Sequence, residues 1–283
     1  MTPLRKQMLE DMQLKGFAPA TQHAYSHAVK QLAKHYNKRP DLLTEAQLRA
    51  YLLKLQGEVA HATFKIALAG IKFLFEITLQ RQWPVLEFAR PRKEKALPVV
   101  LSREEVRSIL AAVRAPVYRV CLTTIYSCGL RISEGTALGC SDIDSQRMLL
   151  RVRGKGNKDR YVPLAKPTLE SLRALWKMHR SQPWLFPARM QPRATQEDGP
   201  VSMDNLRGAF HAARKLSGVN KPAHVHTLRH SYATHLMEAG VQLRVIQEIL
   251  GHRSPRTTAI YTHLTTEVLA QVTAPLHRLV QNL

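Results

Sequence analysis

The pattern of hydrophobic and polar positions divides the chain into a helical first third and a mixed remainder. From residue 1 to about 88, apolar residues recur at the three- and four-residue intervals of amphipathic helices. Thr44 and Gln47 have the spacing of a capping box and predict a helix start. Gly57 is predicted to end that helix, and the next helix is predicted to end at Pro84 at the latest. We therefore expect a small bundle of four helices here.

Beyond residue 99 the pattern alternates between helices and one β-hairpin. Ser102 begins a capping-box sequence and opens a second domain. The stretch 143–152 has the apolar and β-branched content of a strand, and 160–164 returns as its antiparallel partner after a glycine-containing turn. The predicted fold class is therefore mainly α with a small antiparallel β-sheet, in two domains.

Two short helices are predicted near the end of this second domain. Apolar residues run from Leu228 to Leu236 before a stop at Gly240, and a second amphipathic segment stops at Gly251. Ser254 and Pro255 then read as an N-cap and the first position of a third helix. These helices would bring together four polar side chains, listed here in chain order: His226, Arg229, His252 and Tyr261.

The charge of the chain indicates a polyanionic partner. There are 42 Lys and Arg against 21 Asp and Glu, a formal net charge of +21. Hydrophobic residues make up 45% of the chain, so a disordered basic tail is excluded. No apolar run reaches the length of a membrane span, and the amino terminus lacks the apolar core of a signal peptide. We expect a cytoplasmic protein.

The cysteines and histidines do not predict a metal site. Cys121 and Cys128 lie in an apolar stretch and read as small core residues, which with Cys140 fits a reducing compartment. His226 and His230 have the i, i+4 spacing of a metal-binding helix. However, Thr227 stands where a metalloprotease motif requires glutamate. We therefore expect no metal.

The polar residues instead suit phosphoryl transfer through a covalent intermediate. Arg131 and Arg229 each offer a planar fork to the non-bridging oxygens of a phosphodiester. Tyr261 offers a nucleophilic oxygen on a helix, and His226 is the candidate general base. His252 is expected to donate a hydrogen bond to the phosphate. A lysine at the hairpin turn, Lys155 or Lys158, would protonate the leaving oxygen, and spacing alone does not choose between them.

Together these residues resemble the signature of the tyrosine recombinase family, also called the phage integrase family. The matching segments are, in chain order, Gly129-Leu130-Arg131-Ile132-Ser133-Glu134, Gly154-Lys155-Gly156, His226-Thr227-Leu228-Arg229, Leu250-Gly251-His252 and Tyr261. The resemblance selects Lys155 over Lys158. It implies a 3′-phosphotyrosyl intermediate that keeps the bond energy, so no cofactor and no metal are expected.

The resemblance also implies how the chain is organised. Residues 1–88 correspond to a SAM-like core-binding domain, 89–98 to a basic linker and 99–283 to the catalytic domain. Lys158 and the linker residues are expected to contact DNA, although a solvated linker remains an alternative: Arg90, Arg92, Lys93 and Lys95. Glu134 and Asp142 read as structural residues that orient Arg131.

The implied partners are double-stranded DNA at a specific recombination site, within the bacterial nucleoid, and further copies of the chain. An apolar stripe at 268–280 is interrupted at Pro275 and would be exchanged between protomers of a tetramer, or would fold back on its own domain. The lack of a further domain ahead of the bundle favours a Xer-like or mobile-element integrase. A type IB topoisomerase and a catalytically silent DNA-binding regulator are the alternatives.

Overall fold

The computed structural model describes residues 2–89, 99–154, 159–190, 199–251 and 274–279. The chain divides between residues 96 and 97 into two compact units. Both are built mainly of helices, and a small antiparallel sheet lies in the second. The predicted fold class is confirmed. Among the described residues, no helix has the length and apolar character needed to cross a membrane.

The first unit is a helical bundle whose helices start where the sequence supplies caps or prolines. Proline occupies the first turn of three of them, where a missing N–H costs nothing. The predicted capping box is confirmed, since Gln47 N donates to Thr44 Oγ1 at 3.3 Å and Thr44 N donates to Gln47 Oε1 at 3.0 Å. The helices are α1 Pro3–Leu14, α2 Pro19–Tyr36, α3 Glu45–Glu58, α4 His61–Phe73 and α5 Pro84–Phe88.

One predicted boundary in this unit is wrong, and the described part of the unit has one more helix than predicted. Gly57 lies inside α3, which ends one residue later, because the chain becomes extended only at Val59. The fourth helix continues as a π-helical turn over Leu74–Thr78 and stops there, before the limit predicted at Pro84. Pro84 begins a fifth helix, which was not predicted. Gly70 lets α4 approach α2 closely, since a Cβ at this position would lie 2.8 Å from the Tyr25 Cα.

The helices of the second unit pack around one apolar core. The capping box at Ser102 is confirmed and starts the first of them. In chain order the helices are α6 Arg103–Ala111, α7 Pro116–Ser127, α8 Ile132–Thr136, α9 Lys166–His179, α10 Met203–Leu216, α11 Val225–Glu238 and α12 Leu243–Leu250. Cys121 and Cys128 are buried in this core, as predicted, and burial raises the pKa of both thiols.

A three-stranded antiparallel sheet of order β1-β2-β3 stands beside these helices. The strands are β1 Ile143–Asp144, β2 Leu149–Val152 and β3 Arg160–Pro163, and Val152 pairs with Arg160. The hairpin is confirmed, but 143–152 is not one strand. It turns back before Met148, whose φ is +54°, because Arg147 N donates to Asp144 Oδ1 at 2.9 Å and closes a turn.

Residues 274–279 are helical and return to the same core. Leu276 and Leu279 are 1% and 5% exposed and belong to the apolar cluster of the second unit. In this single chain the carboxy-terminal segment therefore packs on its own domain, the alternative that the sequence left open.

Candidate active site

The structure describes three of the six predicted catalytic residues, Arg131, His226 and Arg229. The other three, Lys155, His252 and Tyr261, lie outside the described residues. So do all the residues predicted to contact DNA: Arg90, Arg92, Lys93, Lys95 and Lys158.

A tight turn at Gly129 delivers Arg131 to the site. Gly129 follows α7 with a φ of +60°, a conformation that L side chains rarely adopt. A Cβ at this position would lie 2.6 Å from the Tyr232 ring and 2.8 Å from Leu250 Cδ2. Only glycine therefore fits where α7, α11 and α12 meet. Two residues later, Arg131 caps the start of α8.

Arg131 is paired with Glu134 and still accessible. Its Nη1 donates to Glu134 Oε1 at 2.7 Å, and its backbone N donates to Oε2 at 2.8 Å. The Arg131 side chain is nevertheless 42% exposed. However, Arg131 is not an isolated surface ion pair, because two further arginines, Arg160 and Arg229, share the same carboxylate.

Arg229 is the buried counterpart of Arg131. It lies on α11 with 2% exposure. Its Nη1 donates to the Gly129 carbonyl at 2.7 Å, and its Nη2 donates to the Leu250 carbonyl at 2.5 Å. Burial, with a smaller contribution from the charge of Arg131, lowers the pKa of Arg229 to about 10, which leaves it charged at neutral pH. Arg229 thereby joins the Gly129 turn to the end of α12.

Glu134 is the shared centre of the cluster. Its side chain is 6% exposed, and Arg229 Nη1 lies 3.7 Å from its Oε2. Burial alone would raise the pKa of Glu134, but hydrogen bonds from Arg160 and Arg131 outweigh burial and lower it to about 2. Three guanidinium groups around one carboxylate leave an excess of positive charge, which suits a phosphate ligand. We call Glu134, Arg131, Arg160 and Arg229 the arginine cluster.

Asp142 is a structural residue, as predicted, but it does not orient Arg131, whereas Glu134 does. Asp142 accepts hydrogen bonds from Arg151 Nε and Nη2 at 3.1 and 2.9 Å and from Gly139 N at 2.9 Å. It therefore orders the start of the sheet and not Arg131. Its short separation from Arg131 in sequence does not determine which arginine a buried carboxylate meets.

No sequence pattern singles out Arg160. This residue begins β3 and contributes two hydrogen bonds to Glu134. The available signal was weak, because a charged residue between a turn and a strand is common on protein surfaces. Only the tertiary structure distinguishes this arginine, whose side chain is 13% exposed, from the others of the hairpin.

His226 lies one turn before Arg229 on α11, but at the surface. Its ring meets that of His230 edge-on, with centroids 4.6 Å apart. Within the part of the chain that the structure describes, no three His, Cys, Asp or Glu side chains are arranged to hold a metal ion. The described site thus consists of the arginine cluster and an exposed histidine on the helix that carries Arg229.

Comparisons with known proteins match both units. The phage integrase family matches residues 99–267, and the phage integrase N-terminal SAM-like domain matches residues 4–85. The Sinorhizobium fredii protein y4qK is 43% identical over 279 residues, covering 97% of this chain and 89% of y4qK. The tyrosine recombinase XerC of Chlamydia muridarum is 35% identical over 247 residues, covering 82% of this chain and 76% of XerC.

The fold also resembles that of a solved integrase structure. The crystal structure of a lambda integrase dimer bound to a COC′ core site matches with a TM-score of 0.71 at 20% identity, covering 92% of this chain and 98% of that one. Because the catalytic-domain family spans more than half of the chain and y4qK is similar along nearly all of it, this chain belongs to the phage integrase family, the family of the tyrosine recombinases.

Proposed function

We propose that this protein is a site-specific DNA recombinase that cleaves and rejoins DNA strands through a covalent link to Tyr261. The observation that carries the proposal is the convergence of Arg131 and Arg229 on one buried carboxylate, from α8 and α11. A site that keeps excess positive charge in a largely buried setting favours a phosphodiester, whose charge grows in the transition state. Family membership supports the same reaction.

In the proposed cleavage step, the Tyr261 oxygen attacks the phosphorus and the bond from phosphorus to the 5′ oxygen breaks. The phenol proton passes to His226, and Lys155 gives a proton to the departing 5′ oxygen. Arg131, Arg229 and His252 stabilise the phosphate oxygens. The products are a 3′-phosphotyrosyl link and a free 5′ hydroxyl. Attack by the 5′ hydroxyl of another strand reverses these steps and releases Tyr261, so we propose no cofactor and no metal.

We assign residues 1–88 to core binding, 89–98 to a basic linker and 99–283 to catalysis. The match of the SAM-like domain to residues 4–85 supports the first assignment. Double-stranded DNA with a specific recombination site is the proposed substrate. The proposed DNA contacts outside the catalytic set are, in chain order, Arg90, Arg92, Lys93, Lys95 and Lys158. Such an enzyme would act on the bacterial nucleoid, in the cytoplasm.

We further propose that four copies assemble on two DNA sites and exchange their carboxy-terminal helices. The lambda integrase structure is that of a dimer on a core site, which supports assembly on DNA. Leu276 and Leu279 fill a place in the core of their own domain, and a neighbouring copy offers an identical place. A head-to-tail exchange of this kind closes into a ring only when the rotation between neighbouring copies is suitable.

The relatives favour this reading over its alternatives. XerC is named a tyrosine recombinase, and both family matches are to phage integrase domains, in support of a Xer-like or mobile-element integrase. A type IB topoisomerase would relax supercoils without exchanging strands. A silent regulator would bind DNA and form no adduct.

The replacement Tyr261→Phe tests the proposal. Wild-type protein incubated with labelled duplexes from the DNA flanking its own gene, each nicked to trap cleavage, should form an adduct that survives a denaturing gel. Tyr261→Phe should bind the same duplex and form none, because only the nucleophilic oxygen is lost. Tyr118→Phe, a partly buried tyrosine of α7, is the matched control and should form adduct normally. Adduct from Tyr261→Phe would assign the nucleophile elsewhere.

A further inference from the structure

Arg160 of β3 binds groups of α8 and α12, and each of these three elements adjoins a predicted catalytic residue. Its Nη1 and Nη2 donate to Oε1 and Oε2 of Glu134 at 2.9 and 2.8 Å, and its Nε donates to the Ile249 carbonyl at 2.8 Å. All three side-chain nitrogens thus bind protein groups, and the side chain is 13% exposed. This geometry suits a fixed crosslink better than a direct ligand of DNA.

The first connection is to the end of α12. The last carbonyls of a helix have no partner within it, and the helix end carries partial negative charge. Arg160 binds the Ile249 carbonyl, and Arg229 binds the Leu250 carbonyl. Gly251 then leaves the helix with a φ of +63°, and a Cβ there would lie 3.0 Å from Arg160 Cδ. Arg160 thus fixes the point from which the chain continues to His252.

The second connection is to the hairpin. Arg160 pairs with Val152 across β2 and β3, so it stands at the base of the turn that contains Lys155. Its fork binds Glu134, and Glu134 also binds Arg131. The base of the hairpin is therefore tied, through one carboxylate, to the arginine predicted to bind phosphate.

We infer that Arg160 is a positioning residue that aligns Lys155 and the segment leading to His252 with Arg131. The inference rests on the proposed function. A catalytic group misplaced by about 1 Å can cost roughly 100-fold in rate, so a rigid crosslink of this kind acts on chemistry more than on DNA affinity. A lysine cannot replace it, because an ammonium group lacks the planar fork that spans both carboxylate oxygens and the carbonyl.

The experiment compares Arg160→Gln and Arg160→Lys with the matched control Arg151→Gln. Arg151 lies on the neighbouring strand β2 and also pairs with a buried carboxylate, donating from Nε and Nη2 to one oxygen, Oδ1, of Asp142. The substrate is a nicked duplex, from the DNA flanking the gene, on which wild-type protein forms adduct. It is made with either oxygen or sulfur at the bridging 5′ position.

We expect both Arg160 variants to cleave the oxygen substrate roughly 10- to 100-fold more slowly in single turnover, with unchanged affinity in a gel shift. A sulfur leaving group needs no proton, so the sulfur substrate should recover much of the lost rate if Lys155 is misplaced. Arg151→Gln should cleave both substrates like wild type. Wild-type rates for Arg160→Gln, or an equal loss on both substrates, would overturn the inference.

A measurement without DNA tests the crosslink itself. Backbone amides of 243–251 should exchange hydrogen for deuterium faster in Arg160→Gln than in wild type, and at the wild-type rate in Arg151→Gln. Unchanged exchange in Arg160→Gln would overturn the inference. If wild-type protein forms no adduct on any duplex, the proposed function fails, and the exchange rates still decide whether Arg160 holds the end of α12.

Discussion

Two arginines contact the same carboxylate with opposite degrees of burial. Arg229 is 2% exposed and satisfies two carbonyl oxygens, whereas the Arg131 side chain is 42% exposed. A buried polar group that loses its partner is costly, whereas an exposed ion pair contributes little to stability. The two residues should therefore differ in their effect on folding, although both are proposed to bind phosphate.

We predict that Arg229→Lys lowers the free energy of unfolding by about 1–3 kcal/mol, because a single ammonium group cannot satisfy both carbonyls. Arg131→Lys should change it by less than about 1 kcal/mol. Both variants should lose cleavage of the nicked duplex. Urea denaturation gives the stabilities, and equal destabilisation by the two variants would contradict the assignment of a double role to Arg229.

The low pKa of Glu134 predicts a dependence of stability on pH. The folded-state pKa, about 2, lies below the usual value of 4.5, so the contribution is fully present above pH 4.5 and is lost as the pH falls through 2. The shift corresponds to roughly 3 kcal/mol, of which about 2 kcal/mol should be lost between pH 7 and pH 3.

Urea denaturation at pH 7 and pH 3 measures this effect. The stability of Glu134→Gln should fall less than that of wild type over this interval, because the variant has no proton to take up at this position. Asp144→Asn, which removes a partly exposed carboxylate of β1, is the control and should follow wild type. Parallel losses in wild type and Glu134→Gln would refute the prediction.

At the scale of elements, the sequence predicts those features whose cause is local. Both capping boxes, the hairpin partners and the helix stops at Gly240 and Gly251 depend on contacts within a few residues, and the structure confirms them. The sequence pattern did not predict the helix that begins at Pro84, because proline can either begin or end a helix. The outcome was set by packing, since Val85 and Leu86 are buried in the core of the first unit.

The linker prediction belongs to the same scale. We predict that replacing its four basic residues by alanine makes the slope of log K against log salt shallower by up to about 3.6, since each neutralised phosphate contributes about 0.9 to that slope. The matched control replaces four exposed basic residues in and around α7 and α9, Arg119, Arg173, Lys177 and Arg180, and should leave the slope unchanged. Gel shifts at several salt concentrations give both slopes. An unchanged slope in the linker variant would identify the linker as a solvated spacer.

At the scale of the whole molecule, the proposed exchange of the carboxy-terminal helix decides how copies assemble. Truncation after Thr265 should leave binding to one DNA site largely intact and abolish cooperative binding to two sites, together with strand exchange. Leu276 and Leu279 are buried in the core of their own domain, and the burial of each contributes roughly 1.5–3 kcal/mol to its stability. The folded state of the truncated protein must therefore be checked first, by urea denaturation.

A double replacement, Leu276→Ala with Leu279→Ala, keeps the full length and should also lose cooperativity. His277→Ala with Arg278→Ala, which alters exposed neighbours, is the matched control. Gel-shift titrations on one-site and two-site duplexes separate the two effects. If the truncated protein still binds two DNA sites cooperatively, the carboxy-terminal segment packs only on its own domain and the exchange is refuted.

The sequence by itself determined the family, the fold class and the order of the predicted catalytic residues. These depend on short motifs and on periodicities of two to four residues, which reflect the geometry of single helices and strands. The amino-acid composition also gave the excess of positive charge. The sequence did not show which distant segments are in contact, because the residues next to a charged side chain do not identify its partner in the folded structure.

Only the tertiary structure decided how the arginines are arranged. Arg229 binds the carbonyl of Gly129, 100 residues earlier, and Arg160 binds that of Ile249, 89 residues later. Glu134 of α8 is shared because Arg131 at the start of α8, Arg229 on α11 and Arg160 on β3 all reach it. Asp142, also a buried carboxylate, meets Arg151 instead. The physical reason is that a buried carboxylate takes the guanidinium groups that packing of the core brings within reach, and that packing depends on the whole domain.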